Sequence, residues 1–376
     1  MAFGVYVHVP FCARRCDYCD FATWTDRHHL MEAYAAACVT DVRRRTQAQP
    51  VPLAGSVFFG GGTPSLLPPD LLVAILDAVP QGPGAEVTVE CNPDTVTPEL
   101  LAAYRAGGVN RLSFGVQSMA PHVLAALGRT HDPAGVERAV ETARAAGFDN
   151  FNIDLIYGAA GEGPADWQAT LEATLALDPP HVSAYALTVE PGTPLARRIG
   201  AGEVAAPDDD DQAEKYLAAD AALSAAGRPW YEISNWARPG RQCRHNLLYW
   251  AQGEYLGIGC AAHGHTLIPA SGAAASDGRP VSRRWWNVRT PDRYIALVGQ
   301  GVSAEAGHET LAGADQEGEA VMLALRTREG VPDSPAAAGL VADGLAKRQE
   351  GRVVLTPTGR LLANEATARL LLAHSS

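Results

Sequence analysis

The sequence predicts an α/β protein built on parallel strands, and three observations predict it. Short β-rich runs alternate with helical stretches through the first half of the chain. Polar or glycine-rich clusters stand just after those runs, or in their last residues. Hydrophobic residues make up 47% of the chain and charged residues 19%, the balance of a protein with a core and not of a disordered one.

Taken in order, residues 3–9 form the first strand and 30–47 the helix after it. Residues 56–59 and 70–78 form the second unit, 86–90 and 98–106 the third, and 111–116 and 133–146 the fourth. Residues 150–156 and 164–176 form the fifth, and 181–187 a sixth strand. Strand–helix alternation implies right-handed crossovers between parallel strands. Six units are too few for a closed eight-stranded barrel, so an open, partial (β/α) barrel or a doubly wound sheet remains. Both place ligands at the C-terminal ends of the strands.

The acidic run 208–211 reads as the cap of a helix, with carboxylates near the positive end of its dipole. From Pro229 the rhythm stops and a segment rich in Trp, Tyr and Gly follows. After Gly313 the pattern is helical at 316–327 and 335–347, then strand-like at 352–355, with a last helix to Ala373. We therefore expect three parts: 1–228, 229–312, and a small winged-helix-like unit at 313–376. The last carries no basic stripe, so packing or partner docking is expected of it and not DNA binding.

The formal charge of −12 argues against non-specific nucleic-acid binding, which needs surplus cations. Apolar runs such as 71–76 fall far short of the roughly 20 residues that span a bilayer. Met1-Ala2-Phe3-Gly4-Val5 lacks a basic leader region and runs straight into the first strand. A cytoplasmic location follows as an expectation, and in a reducing compartment cysteines serve more often as ligands than in disulfides.

Cys12-Ala-Arg-Arg-Cys16-Asp-Tyr-Cys19 puts three thiols within eight residues, directly after a strand. They can hold a [4Fe–4S] cluster with one iron left open to a small ligand, or a zinc ion with His28 or His29 as fourth ligand. C-x3-C-x2-C is similar to the spacing of radical S-adenosylmethionine (SAM) proteins. Cys38, Cys91, Cys243 and Cys260 are scattered and read as small buried residues.

The other strand ends suit such a ligand. Gly60-Gly61-Gly62-Thr63-Pro64 permits close backbone approach, or is simply a tight turn. Glu90 ends one strand and Gln117 the next. Arg129 offers a bidentate partner for a carboxylate. Asp154 lies in an otherwise apolar strand, where a charge needs a partner.

Tyr6-Val-His8-Val-Pro10-Phe11-Cys12, the cysteine triplet, Gly60-Gly-Gly-Thr-Pro64 and Gly115-Val-Gln117-Ser118 together resemble the radical SAM family of oxygen-independent coproporphyrinogen dehydrogenase, over nearly the whole chain. The resemblance implies a partial (β/α)6 TIM-like barrel followed by a smaller α+β, winged-helix-like C-terminal domain. It implies a [4Fe–4S] cluster on Cys12, Cys16 and Cys19. It implies SAM held by Tyr6, Tyr18, Gly61, Gly62, Thr63, Glu90, Gln117, Arg129 and Asp154.

Two departures separate subgroups of that family. The dehydrogenases carry a further cysteine two residues after the third, where this chain has Phe21, and an N-terminal arm before the first strand. Both departures resemble the heme-chaperone subgroup. His245-Asn246-Leu-Leu-Tyr249-Trp250 resembles that subgroup's His-Asn-x-x-Tyr-Trp motif, which implies heme contact by these four residues, with Cys243, Cys260, His263 and His265 as rival iron ligands. Heme and heme-acceptor apo-proteins, including respiratory membrane-associated ones, are the implied partners. The alternative is the dehydrogenase itself, converting coproporphyrinogen propionates to vinyl groups. Where the family usually reads Leu-Pro-x-Gln-Thr after Tyr157-Gly158, this chain reads Ala159-Ala-Gly-Glu162-Gly163.

Overall fold

The computed structural model describes residues 3–48, 51–129, 132–269 and 280–374. Met1 and Ala2, read above for a leader, lie outside them. The βα units run β1 (Phe3–Val9), α1 (Met31–Ala48), β2 (Ala54–Gly61), α2 (Pro69–Ala78), β3 (Gln81–Cys91), α3 (Pro98–Ala106) and β4 (Arg111–Gln117). They continue with α4 (Pro121–Ala126), α5 (Pro133–Ala145), β5 (Phe151–Tyr157), α6 (Pro164–Ala176), β6 (His181–Ala186), α7 (Pro194–Gly200) and α8 (Asp209–Ala225). Six of these helices open on proline (Pro69, Pro98, Pro121, Pro133, Pro164, Pro194), whose missing N–H falls where a helix has no acceptor for it. Asp208 caps α8 by accepting the Asp211 N–H, as the acidic run suggests.

Strands β1 to β6 pair in sequence order, all parallel. Val5, Val7 and Val9 of β1, with Val57, Phe59, Val87, Val89, Leu112 and Phe114, form the apolar face of the sheet under the helices. The opposite face is polar. Tyr6, Glu90, Arg111, Ser113, Asn152, Asp154, His181 and Ser183 surround a cavity of about 220 Å³, where the barrels of this class hold layers of Val, Ile and Leu.

Beyond residue 229 the chain adds β7 (Trp230–Glu232), β8 (Asn235–Ala237), α9 (Arg244–Trp250), β9 (Glu254–Ile258), β10 (His263–Ile268), β11 (Val281–Asn287), α10 (Pro291–Gly299) and β12 (Glu305–Leu311). The βα rhythm does end, yet the sheet does not. β9 pairs parallel to β1, and β10 to β12 extend it antiparallel, while β8 and β7 close its other edge beyond β6. Among the described residues the sheet has 12 strands.

The last segment holds α11 (Gly313–Ala324), β13 (Val331–Pro332), α12 (Ala338–Ala342), β14 (Ala346–Gln349), β15 (Arg352–Leu355), α13 (Pro357–Leu361) and α14 (Ala363–His374). Its helices and three-stranded sheet share their own apolar cluster, with Leu325, Leu340, Val353 and Leu370 inside. One expectation is corrected here. Residues 335–347 are not a single helix: a 3-10 turn, Pro335–Ala337, leads into α12, which stops at Ala342. Gly344 then takes φ +70 and turns the chain back, so that Lys347 lies in β14 against Val354. Among the described residues no helix is long and apolar enough to cross a membrane.

Candidate functional site

The cysteine loop leaves the C-terminal end of β1 and is tied down on both sides. Cys12 N–H donates to Trp24 O at 3.1 Å, and Trp24 N–H to Pro10 O at 2.8 Å. Asp17 N–H reaches Leu127 O after α4 at 3.3 Å, Asp17 O accepts from Leu195 of α7 at 2.9 Å, and the Asp17 carboxylate pairs with Arg198 at 3.0 Å. Cys12 is buried, while Cys16 and Cys19 are half-buried. His28 spends Nε2 on the Cys12 carbonyl at 3.0 Å, and His29 is exposed, so neither joins the thiols.

Donors surround the sulfurs. Thr63 Oγ1 lies 3.7 Å from Cys12 Sγ, and Arg129 Nη1 lies 3.6 Å from Cys16 Sγ. Tyr18 is also hydrogen-bonded to Cys16. Burial, with the neighbouring thiols, pushes the Cys19 thiol up to about 11. Donors on Cys12 and Cys16 suit sulfur that carries negative charge, as cluster ligands do.

The expected SAM residues fall around one end of the barrel. Gly60 and Gly61 end β2 and Gly62 follows it, and a Cβ would not fit at Gly61 or Gly62. At Gly62 it would lie 2.7 Å from Phe11 O, and at Gly61, where φ is +112, 2.4 Å from the His8 ring. Gly61 N–H donates to Glu90 Oε2 at 3.1 Å. Burial, then the nearby Asp154, raises the Glu90 carboxyl to about 8, so it is largely protonated at neutral pH. Asp154 accepts from Ser113 Oγ at 2.8 Å and Asn152 Nδ2 at 2.7 Å, which answers the question of its partner. Gln117 holds φ +68, a left-handed conformation rare for a side-chain-bearing residue, at a break in the β4–β5 register.

Arg129 connects the two sets. Its Nη2 donates to Gly115 O at 2.6 Å and to Asn92 Oδ1 at 3.2 Å, while its buried Nε has no acceptor. An orphaned guanidinium N–H beside three thiols and a glycine cradle fits a carboxylate-bearing ligand. Tyr6 reaches His8 Nδ1 at 3.2 Å and lines the cavity with Glu90 and Asp154.

The His245 segment lines the other end of the same cavity, its ring 6.4 Å from that of Tyr6. Helix α9 closes the N-terminal end of the strands, opposite the cysteine loop. His245 is 1% exposed, with Nδ1 at 2.9 Å from Ser56 Oγ, Nε2 at 2.8 Å from Tyr249 Oη, and its ring stacked on Phe58. Glu86 caps the helix by accepting Arg244 N–H at 2.8 Å. Asn246 and Trp250 bond the buried Glu232 carboxyl, which burial raises to about 7. In this conformation His245 has no free ring nitrogen, and the motif is a set of interlocking bonds that plugs the barrel. Of the rival ligands, Cys243 and Cys260 are fully buried, and His265 has both nitrogens bonded, to Gly253 O and Ser282 Oγ. His263 is exposed.

Sequence reasoning missed Arg111, Ser113, Asn152, His181 and Ser183. Their signal was available: in strands expected to be apolar throughout, every second residue from Glu86 to Glu90, Arg111 to Ser113 and Asn152 to Asp154 is polar. The structure also accounts for the unusual 159–163 loop. Glu162, standing where the family pattern has Gln, accepts the Gly158 N–H at 2.6 Å and pairs with Lys215 of α8 at 3.2 Å.

Comparison with known proteins agrees with this arrangement. Residues 6–174 match the Radical SAM superfamily. A protein named heme chaperone HemW from Mycobacterium tuberculosis is 43% identical over 98% of this chain and 95% of its own. The HemW of Bacillus subtilis is 32% identical over 98% of this chain and 99% of its own. The solved structure of Escherichia coli coproporphyrinogen III oxidase HemN, described as a radical SAM enzyme, superposes with a TM-score of 0.81 at 23% identity. It covers 98% of this chain and 90% of that one, which establishes a common fold.

Proposed function

This chain belongs to the HemW family within the radical SAM superfamily, and on that premise we propose that it is a cytoplasmic heme chaperone that delivers heme to acceptor apo-proteins. Radical SAM membership implies a [4Fe–4S] cluster and SAM. In our reading Cys12, Cys16 and Cys19 hold the cluster, which supplies a one-electron redox centre with one iron open to SAM. Arg129 binds the SAM carboxylate through its unpartnered Nε and keeps its position by donating to Gly115 O. Gly61, Gly62 and Thr63 admit the ligand to the backbone, Glu90 and Asp154 receive its polar groups, Tyr6, Tyr18 and Gln117 wall it in.

Heme contact by His245, Asn246, Tyr249 and Trp250 belongs to the same proposal, with a physical condition attached. The Ser56 and Tyr249 bonds of His245 must open before an iron reaches its ring. The observation that carries the chaperone reading is Phe21, 62% exposed at the position of the dehydrogenases' extra cysteine, in a chain 43% identical to a HemW throughout. The test is a paired assay on cluster-reconstituted protein: heme transfer to an apo-acceptor beside coproporphyrinogen turnover. Transfer without turnover is expected; turnover at enzymatic rates would transfer the chain to the dehydrogenases.

A further inference from the structure

The polar lumen of the barrel is a matched network with one exception. Asn152 Nδ2 faces Ser113, Asp154 and Ser183, its Oδ1 meets His181 Nδ1, and His181 Nε2 meets Tyr231 Oη at 2.8 Å. Arg111, the first residue of β4, is 1% exposed and lines the cavity, yet its Nε and Nη2 have no acceptor. The carboxylates that face it are engaged elsewhere. Asp154 takes the Ser113 and Asn152 donors, and Glu86 takes the Arg244 N–H at 2.8 Å; both act on the guanidinium by charge alone. The neighbouring Cys243 thiol is pushed up by burial to about 12 and carries no charge, and Tyr231 Oη is occupied by His181 and the Cys243 N–H. Across the β3–β4 register, Thr88 stands opposite Arg111, and its buried hydroxyl has no partner either.

A buried guanidinium without an acceptor destabilises a fold, and an unmet fork beside a cavity marks the place of a missing partner. The planar fork matches a carboxylate. The carboxylate of SAM is not the one in reach. From Arg111 to Gln117, which stands among the SAM residues, is 117 − 111 = 6 residues, about 20 Å along the strand. The His245 segment is nearer: His245, Asn246 and Tyr249 line the same cavity, and Cys243, which precedes their helix, acts directly on Arg111. We propose that Arg111 seats a carboxylate at the floor of the barrel, and that the ligand is the porphyrin, with one propionate on Arg111 and the iron toward the His245 segment. The proposal rests on the heme-carrier reading above. At about 220 Å³ the cavity is smaller than the roughly 300–1,000 Å³ that enclose a drug-sized ligand, so with α9 in place it holds the carboxylate arm and not the ring. The ring follows when His245 leaves Ser56 and Tyr249. Arg111 sits on a central strand and His245 on a seven-residue helix, so the carboxylate meets a fixed site and the iron a movable one.

The test titrates full-length, cluster-reconstituted protein with iron protoporphyrin IX and with its dimethyl ester, following the Soret band. Circular dichroism verifies the folding of Arg111→Gln and Arg111→Lys. Arg111→Gln should weaken binding of the diacid about tenfold or more, the loss of one charge-assisted contact. Arg111→Lys, which keeps the charge without the fork, should weaken it less. The ester should bind wild type more weakly than the diacid does and be indifferent to Arg111→Gln. Equal affinity of wild type for diacid and ester overturns the carboxylate seat, and that comparison needs no variant to fold. Diacid binding unaltered in Arg111→Gln yet weakened in His245→Ala also overturns the seat, as does an ester weakened as much as the diacid; each leaves the heme reading standing. Failure of wild type to bind the porphyrin at all overturns both.

Discussion

Glu90 should make the ligand-free protein lose stability as the pH rises, and Glu90→Gln should remove that loss. The carboxyl faces the barrel cavity, accepts one N–H from Gly61, and is raised from 4.5 to about 8, by burial first and by Asp154 second. The folded state therefore keeps a proton that the unfolded chain releases between those two values. Stability from this group is fully present below pH 4.5 and is lost as the pH climbs to 8. Each pH unit inside the window is worth about 1.4 kcal/mol, so the whole window amounts to at most about 5 kcal/mol. Over pH 6 to 8 the wild type should fall by roughly 2–3 kcal/mol relative to Glu90→Gln. Urea midpoints of both proteins, cluster-free, at half-unit steps across that range provide the measurement. Two curves that run parallel would refute the reasoning, because the group would then carry no proton that folding retains. The functional corollary is that SAM, which brings an ammonium and a sulfonium, should draw this proton off. Its binding heat should then depend on the ionisation enthalpy of the buffer.

Lys215→Met strands the Glu162 carboxylate in the interior and should cost about 3–5 kcal/mol, with Glu162→Gln on top restoring much of the loss in a double-mutant cycle. Arg129→Lys keeps the charge but loses the planar fork, and SAM affinity by equilibrium dialysis should drop about ten- to a hundredfold. Gly257→Ala would set a Cβ 1.9 Å from His263 O and force β10 away from β9, at a cost of about 1–3 kcal/mol or more in chemical denaturation.

Much of the barrel could be read from local signals, and the reason is visible in single elements. The strand Phe3–Val9 and the helices Pro98–Ala106 and Pro164–Ala176 occur at the bounds the sequence suggests, since alternation and an N-terminal proline are written in adjacent residues. The partnership of β1 with β9 is not, because it joins Phe3 to Glu254 and no nearby residue marks it. Residues 335–347 show the opposite failure: helical composition on both sides of Gly344 hides a reversal that one glycine makes. At the site, motif and strand-end logic found Glu90, Arg129 and Asp154. It passed over Arg111, whose polar alternation with Ser113 was the available signal for a lumen residue on the inward face of β4. The His245–Trp250 motif was legible as a motif, but its place at the barrel floor depends on bonds to Ser56 and Glu232, far away in the chain.

The β1–β9 pairing also sets an order of synthesis. Phe3 and Glu254 are 254 − 3 = 251 residues apart. At about 5–20 residues per second, the ribosome takes roughly 10–50 s to supply the second after the first. Throughout that interval β1 has one unsatisfied edge, and the Cys12–Cys19 loop hangs from its end. The nascent chain thus presents its three thiols before the barrel wall beside them is complete. The same interval leaves an open strand edge that invites pairing with a neighbouring chain.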